Sequence, residues 1–179
     1  MAQEPSERRN APRSHGDGSV DLTQLKRCGV GVVVEEGVRI FHPETIRIGD
    51  RVYIGHQAIL KGYYKGVMEI GDDTWIGQRC FFHSAGGIRI GREVGIGPEV
   101  KILTSSHDFG PERQPVIRYP LVFKPVEVAD GVDLGIGSIL LPGARVGEGA
   151  VIGAGSVVTK DVPPYEVWVG VPARFLRRR

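Results

Sequence analysis

The 179 residues contain only two cysteines, Cys28 and Cys80. One possible pair is no disulfide framework, so a small secreted scaffold held by bridges is excluded. Leucine and alanine are scarce, nine of each against 23 Val and 15 Ile. Leu and Ala lead in helices while Val and Ile suit strands, which excludes a helical bundle. No apolar run reaches membrane-spanning length, and the opening MAQEPSERRN is too polar for a signal peptide. A strong charge of either sign is also missing, since 23 basic and 21 acidic residues leave a net +2. Four of the positives, Arg174, Arg177, Arg178 and Arg179, lie in the last six residues, and without them the balance is −2. No broad nucleic-acid surface is expected. These absences together point to a cytoplasmic protein with no membrane span and no nucleic-acid partner.

Glycine is what the chain has in excess, 26 residues, about twice the usual share of about 7%. The glycines have no Gly-X-Y period, which excludes collagen, and they alternate with aliphatic residues, which excludes a flexible linker. Residues 1–28 read as a polar arm, with His15 inert inside it, and regular order is expected from near Val30.

Beyond the arm the sequence repeats with a period of six. Val128, Leu134, Leu140, Val146, Ile152 and Val158 are evenly spaced, and a small or aliphatic residue follows each by four. Glycine follows the first five by three, from Gly131 to Gly155. The same phase runs earlier in pieces: Ile48, Ile54 and Leu60, then Ile70, Ile76 and Phe82, then Ile90, Ile96 and Ile102. Six is neither a helical period nor plain strand alternation. It fits a chain that turns a corner every six residues, so that three short strands close one triangular coil and coils stack at about 4.8 Å. The aliphatic residue of each hexad faces the axis, and glycine near the corner serves positive φ and close backbone approach. Two interruptions break the phase, at 61–67 (KGYYKGV) and at 103–125. The second is long for a structureless loop, and its aromatics and four prolines suggest an ordered excursion.

The segments IGDRVYIG (48–55), IGDDTWIG (70–77) and VIGAGSVVTKDVPP (151–164) resemble the hexapeptide-repeat acyltransferases, over roughly residues 30–177. The resemblance implies an all-β fold: a left-handed parallel β-helix over 29–166, the long excursion 103–125, and a short C-terminal strand and basic tail over 167–179. It implies a homotrimer with active sites between subunits, and acetyl-CoA as cosubstrate. SSHDF followed by PERQPVI is similar to the sugar O-acetyltransferase members, and the stretch from His56 to Gly87 to relatives associated with capsule or O-antigen sugars.

His107 opens the excursion, directly after an inward position. A group fixed at the exit of a rigid coil suits a general base, and an imidazole, titrating near about 6.5, can take a proton at neutral pH. In the resembled family a histidine at this point is that base. The expected chemistry is direct acetyl transfer to a saccharide or nucleotide-sugar hydroxyl, or an amine. Backbone N–H groups, Ser105 or Ser106 would stabilise the oxyanion, and a backbone carbonyl or carboxylate would orient His107. Neither cysteine has a histidine beside it, and Cys80 occupies an inward slot, so a covalent acyl-enzyme is disfavoured.

The resemblance also carries over acetyl-CoA contacts: Gly135, Ala154, Thr159, Lys160, Arg174 and Arg177. Small residues admit the pantetheine arm, and Lys and Arg meet phosphates. For the acceptor, Tyr63, Tyr64 and His83 sit at phase breaks, with core packing and subunit contact as open alternatives. Asp133 stands where the family often has Trp, the position Trp75 holds in its own coil. It is expected to face outward, as a solvated corner or as a contact to an acceptor hydroxyl. His56, His83 and His107 are 27 and 24 residues apart, without the close histidine pair of zinc-dependent γ-type carbonic anhydrases, so no metal site is expected. A non-enzymatic sugar-binding β-helix remains the other reading of the same fold.

Overall fold

The computed structural model describes residues 21–179 except Lys65 and Glu112. The chain is a left-handed parallel β-helix of about seven turns. It has three flat faces. The first carries Arg27–Cys28, Ile46–Ile48, Met68–Ile70, Ile88–Ile90, Val126–Val128 and Arg145–Val146 in that order. The second runs from Val33–Val34 through Tyr53–Ile54, Trp75–Ile76, Gly95–Ile96, Asp133–Leu134 and Val151–Ile152 to Glu166–Val169. The third runs from Arg39–Phe41 to Val157–Val158. All pairing between coils is parallel, with hexad points in register, as in Ile54 on Ile76 and Ile76 on Ile96.

The hexad points expected to face the axis are all buried; Ile48, Ile54, Leu60, Ile76, Phe82, Ile96, Ile102, Leu134, Leu140, Ile152 and Val158 are fully so. The residues four further on, Val132 to Val162, are buried beside them. Such stacks of like aliphatics remove most of each side chain from water, at about 1.5–3 kcal/mol apiece.

The two tasks expected of corner glycine are divided between two positions. Directly after a hexad point, glycine admits the next coil: a Cβ at Gly77 would lie 2.5 Å from the Pro98 nitrogen. Three residues after a hexad point the backbone is left-handed, and Gly137 there has φ +67° with nothing near a Cβ. In earlier coils Arg51, Gln57, Asp73, Arg79, Glu93 and Glu99 hold that corner at φ 54–61°. Within the IGD segments the aspartate closes the corner above it. Asp72 Oδ1 accepts from the Asp50 N–H at 2.8 Å, and Asp50 Oδ1 from the Val30 N–H at 3.0 Å.

The corners from first to second face and from second to third have constant length. The extra residues fall at the corner from third to first: a 3-10 turn at Pro43–Thr45, then residues 62–67, 84–87 and 104–125. The longest is an ordered antiparallel hairpin of Ser105–His107 and Leu121–Phe123 around a 3-10 turn at Val116–Arg118.

Both ends of the domain differ from the sequence expectation. Leu25 is buried and Arg27–Cys28 is the first strand, so order reaches into the segment read as an arm; His15 lies outside the described residues. At the other end, Glu166–Val169 crosses the expected 166/167 boundary and continues the second face. Residues Arg174–Arg178 are no free tail but a strand that returns antiparallel against it. The physical reason is the sheet edge left where the coils stop, whose N–H and C=O groups need partners. Among the described residues no helix is long and apolar enough to cross a membrane.

The two glycine roles differ in cost. Gly77→Ala must displace the backbone of the next coil and is expected to cost about 3 kcal/mol. Gly137→Ala strains only its own φ, at about 1–2 kcal/mol. Urea unfolding of the two variants should rank them in that order.

Candidate functional site

His107 is half-buried at the end of the outgoing hairpin strand. Its Nδ1 lies 2.9 Å from the carbonyl oxygen of Tyr119, which follows the 3-10 turn. A carbonyl can only accept, so Nδ1 carries a proton, and in the neutral imidazole Nε2 is the nitrogen with the free lone pair. The orienting group is thus a backbone carbonyl; Asp108 is exposed, and its own N–H donates to Pro120 O at 3.0 Å. Tyr119 is buried, its ring edge-on to Phe109 at 6.2 Å, which fixes the carbonyl. Strand alternation separates the two serines: Ser105 shares the His107 side of the hairpin and Ser106 faces the other way.

Tyr63, Tyr64 and His83 gather at the same third-to-first edge. The Tyr63 ring is 4.6 Å from Tyr64, 5.8 Å edge-on from His83 and 6.4 Å from Phe123. Phe123 pairs with Ser105, two residues before His107, so this aromatic cluster forms the base of the hairpin. Burial pushes the Tyr63 phenol above its ordinary range. Sequence reasoning missed Tyr119 and Phe123. Tyr119 acts through its backbone, which carries no residue signature.

The other expected positions lie elsewhere on the chain. Asp133 is exposed on the second face. Gly135 and Ala154 are at the second-to-third corner, where a Cβ on Gly135 would stand 2.6 Å from the Ala154 nitrogen, so that glycine also has a packing reason. Thr159 and Lys160 follow the last third-face strand, with Lys160 Nζ 5.3 Å above the Trp168 ring. Arg174 and Arg177 are on the returning strand, their guanidinium groups hydrogen-bonded to the carbonyls of Ala173 and Arg178 at 2.8 and 3.0 Å. A single chain therefore carries His107 and the acceptor candidates Tyr63, Tyr64 and His83 on the same edge, and Asp133 and the arginines elsewhere. His56 sits at the second-to-third corner, away from His83 and His107. Among the described residues no three His, Cys, Asp or Glu side chains converge.

Comparison with known proteins finds the same repeat and fold. The family model described as the hexapeptide repeat of succinyl-transferase matches residues 125–160. A putative acetyltransferase of Schizosaccharomyces pombe is 41% identical over 113 residues, covering 62% of this chain and 53% of that protein. The chain spans about half the length of the curated relatives it matches. The crystal structure of a maltose O-acetyltransferase from Clostridium difficile 630 is 31% identical, with TM-score 0.65, covering 88% of this chain and 72% of that one. A mutant of AntD, an N-acyltransferase from Bacillus cereus, in complex with dTDP-4-amino-4,6-dideoxyglucose and coenzyme A, has TM-score 0.77 at 25% identity, covering 87% and 84%.

The two thiols differ in chemistry. Cys80 is fully buried, its Sγ–H donates to Gly97 O at 3.3 Å, and burial pushes the thiol up to about 11. Cys28 is exposed on the first coil. A raised pKa means the thiolate is absent at pH 8. Native protein at pH 8 should therefore react rapidly with an aromatic disulfide at Cys28 alone, and denatured protein at both cysteines. Rapid reaction of Cys80 in the native state would contradict this.

Proposed function

The chain belongs to the hexapeptide-repeat acyltransferase family, and from that premise we propose that it moves an acetyl group from acetyl-CoA to a hydroxyl or amine of a saccharide or nucleotide sugar, with His107 as general base. The observation that carries this reading is the bond from His107 Nδ1–H to the Tyr119 carbonyl, which leaves Nε2 as the proton acceptor. In the proposed step Nε2 takes the acceptor's proton as its oxygen or nitrogen attacks the thioester carbonyl. The proton on Nε2 then passes to the departing sulfur of coenzyme A, and the imidazole returns to its neutral form. Ser105, on the same side of the hairpin, is the hydroxyl suited to steady the developing oxyanion.

The relatives supply the substrate classes. Solved neighbours include a maltose O-acetyltransferase and an N-acyltransferase bound to a nucleotide amino sugar and coenzyme A. Gly135, Ala154, Thr159, Lys160, Arg174 and Arg177 are proposed to hold acetyl-CoA, the cations meeting its phosphates. Tyr63, Tyr64, His83 and Asp133 are proposed for the acceptor. His107 and the arginines lie on different parts of one chain, and a homotrimer with sites between adjacent subunits would bring one copy's histidine to another's donor site. A cytoplasmic place in surface-polysaccharide synthesis fits the cosubstrate.

Thiol release should be measured against a panel of free saccharides and nucleotide sugars. His107→Ala is expected to lower kcat about a hundred- to ten-thousandfold while acetyl-CoA binding by calorimetry is unchanged. Lost donor binding with chemistry intact at saturating donor would remove His107 from the role of base. A wild-type protein that binds no acetyl-CoA would favour the non-enzymatic sugar-binding reading.

A further inference from the structure

Along the second face, the outward positions of successive coils form a column: Val33, Tyr53, Trp75, Gly95, Asp133 and Val151. Trp75 lies flat on Tyr53, with centroids 5.5 Å apart and planes 2° apart. Its opposite ring face looks along the column to Gly95, the one rung of these six with no side chain. Trp75 remains 42% exposed. On the far side of the gap, Asp133 leans in, with Oδ1 3.1 Å from where a Cβ on Gly95 would stand. The Asp133 carboxylate and the Trp75 indole N–H make no hydrogen bond or ion pair among the described residues. Carboxylates on the outward first face are used differently: Glu69 meets Arg47 at 2.6 Å and Glu127 meets Arg145 at 3.6 Å.

Two rungs separate Trp75 from Asp133, about 9.6 Å along the solenoid. One ring in van der Waals contact with the indole, at about 4 Å, fills that space. The ring must suit an electron-rich aromatic face on one side and a carboxylate on the other. A nucleobase stacked on Trp75 would turn its second negative π face to Asp133, which is repulsive. A pyranose offers C–H groups to the indole and O–H or N–H donors to the carboxylate.

We propose that the notch of Trp75, Gly95 and Asp133 is a subsite for one pyranose ring, stacked on Trp75 in the rung vacated by Gly95 and hydrogen-bonded to Asp133. The role of this subsite in acetyl transfer rests on the proposed function; its binding of a saccharide does not. It gives Asp133, which one chain keeps apart from His107, a task in holding the acceptor.

The test uses the two tryptophans. Trp168 is buried at 7% exposure and Trp75 is exposed, so quenching by acrylamide reports Trp75. The intact protein is titrated with methyl glucopyranoside, methyl galactopyranoside and glucosamine, with thymidine as the nucleobase probe. At least one pyranoside should shield Trp75. Gly95→Val puts into the gap a side chain already borne by Val33 and Val151, and should weaken that binding at least about tenfold. Asp133→Ala should weaken it too without adding bulk, which covers a failure of the valine variant to fold, as read by circular dichroism. Shielding by thymidine alone, by none of the probes, or equally in Gly95→Val and Asp133→Ala would overturn the proposal.

Kinetics separate this failure from that of the proposed function. Gly95→Val should raise the acceptor KM at least about tenfold, with kcat and the acetyl-CoA KM kept. Acetyl transfer with an unchanged acceptor KM overturns the notch and leaves the enzyme standing. Saccharide shielding that Gly95→Val abolishes, in a protein with no transferase activity, supports the notch and overturns the enzyme.

Discussion

Every coil must hand its three strands to the next coil in register, and the rest of the molecule follows from that demand. A parallel ladder between coils tolerates no slip, because shifting one residue would turn the inward aliphatic stack outward. The hexad is the sequence form of this rule. It places Ile54, Ile76, Ile96, Leu134 and Ile152 in one column and demands glycine wherever a Cβ would strike the coil below, as at Gly77. Extra residues can enter only where they leave the ladders intact, which means at a corner. All the insertions use one corner, the edge between third and first faces.

That edge is where local hydrogen bonding can differ from the solenoid's. The longest insertion folds as its own antiparallel pair and borrows only its base from the coils. Its 3-10 turn delivers the Tyr119 carbonyl to His107. The imidazole is therefore oriented by backbone geometry, and no carboxylate needs to be desolvated beside it. The rigid part of the molecule supplies position and the inserted part carries the proposed base.

Much of this was legible in the chain. The period of six, the phase breaks and the inward positions could be read because burial in a solenoid depends on residue type at fixed spacing. The division of glycine roles was half legible: the spacing marked both positions, but Arg51, Gln57 and Asp73 occupy the left-handed corner with nothing in their identity to announce it. The returning strand Arg174–Arg178 was read as a tail, because its pairing depends on the sheet edge left at the end of the coils and not on its own arginine-rich pattern. The stack of Tyr53 on Trp75 left a signal that went unused. Both residues directly precede a hexad point, one coil apart, as do Gly95 and Asp133. Aligning the coils by those points, across the insertions between them, would have put the four in one column.

A triangular prism imposes one further consequence. The edge between the third and first faces stands opposite the second face, so the His107 hairpin and the Trp75–Asp133 column point in opposite directions on the same chain. No bending of a close-packed solenoid can bring them together. A site that draws on both must join the edge of one copy to the face of another. Such a contact is heterologous, edge to face, and between two copies it leaves one with its His107 edge and the other with its second face still to satisfy. A rotation of one third of a turn would close that arrangement in a ring of three, with each copy's His107 edge and second face engaged. The proposed trimer is thus one closed assembly that fits the chain's division between the proposed base on one edge and an open face opposite it.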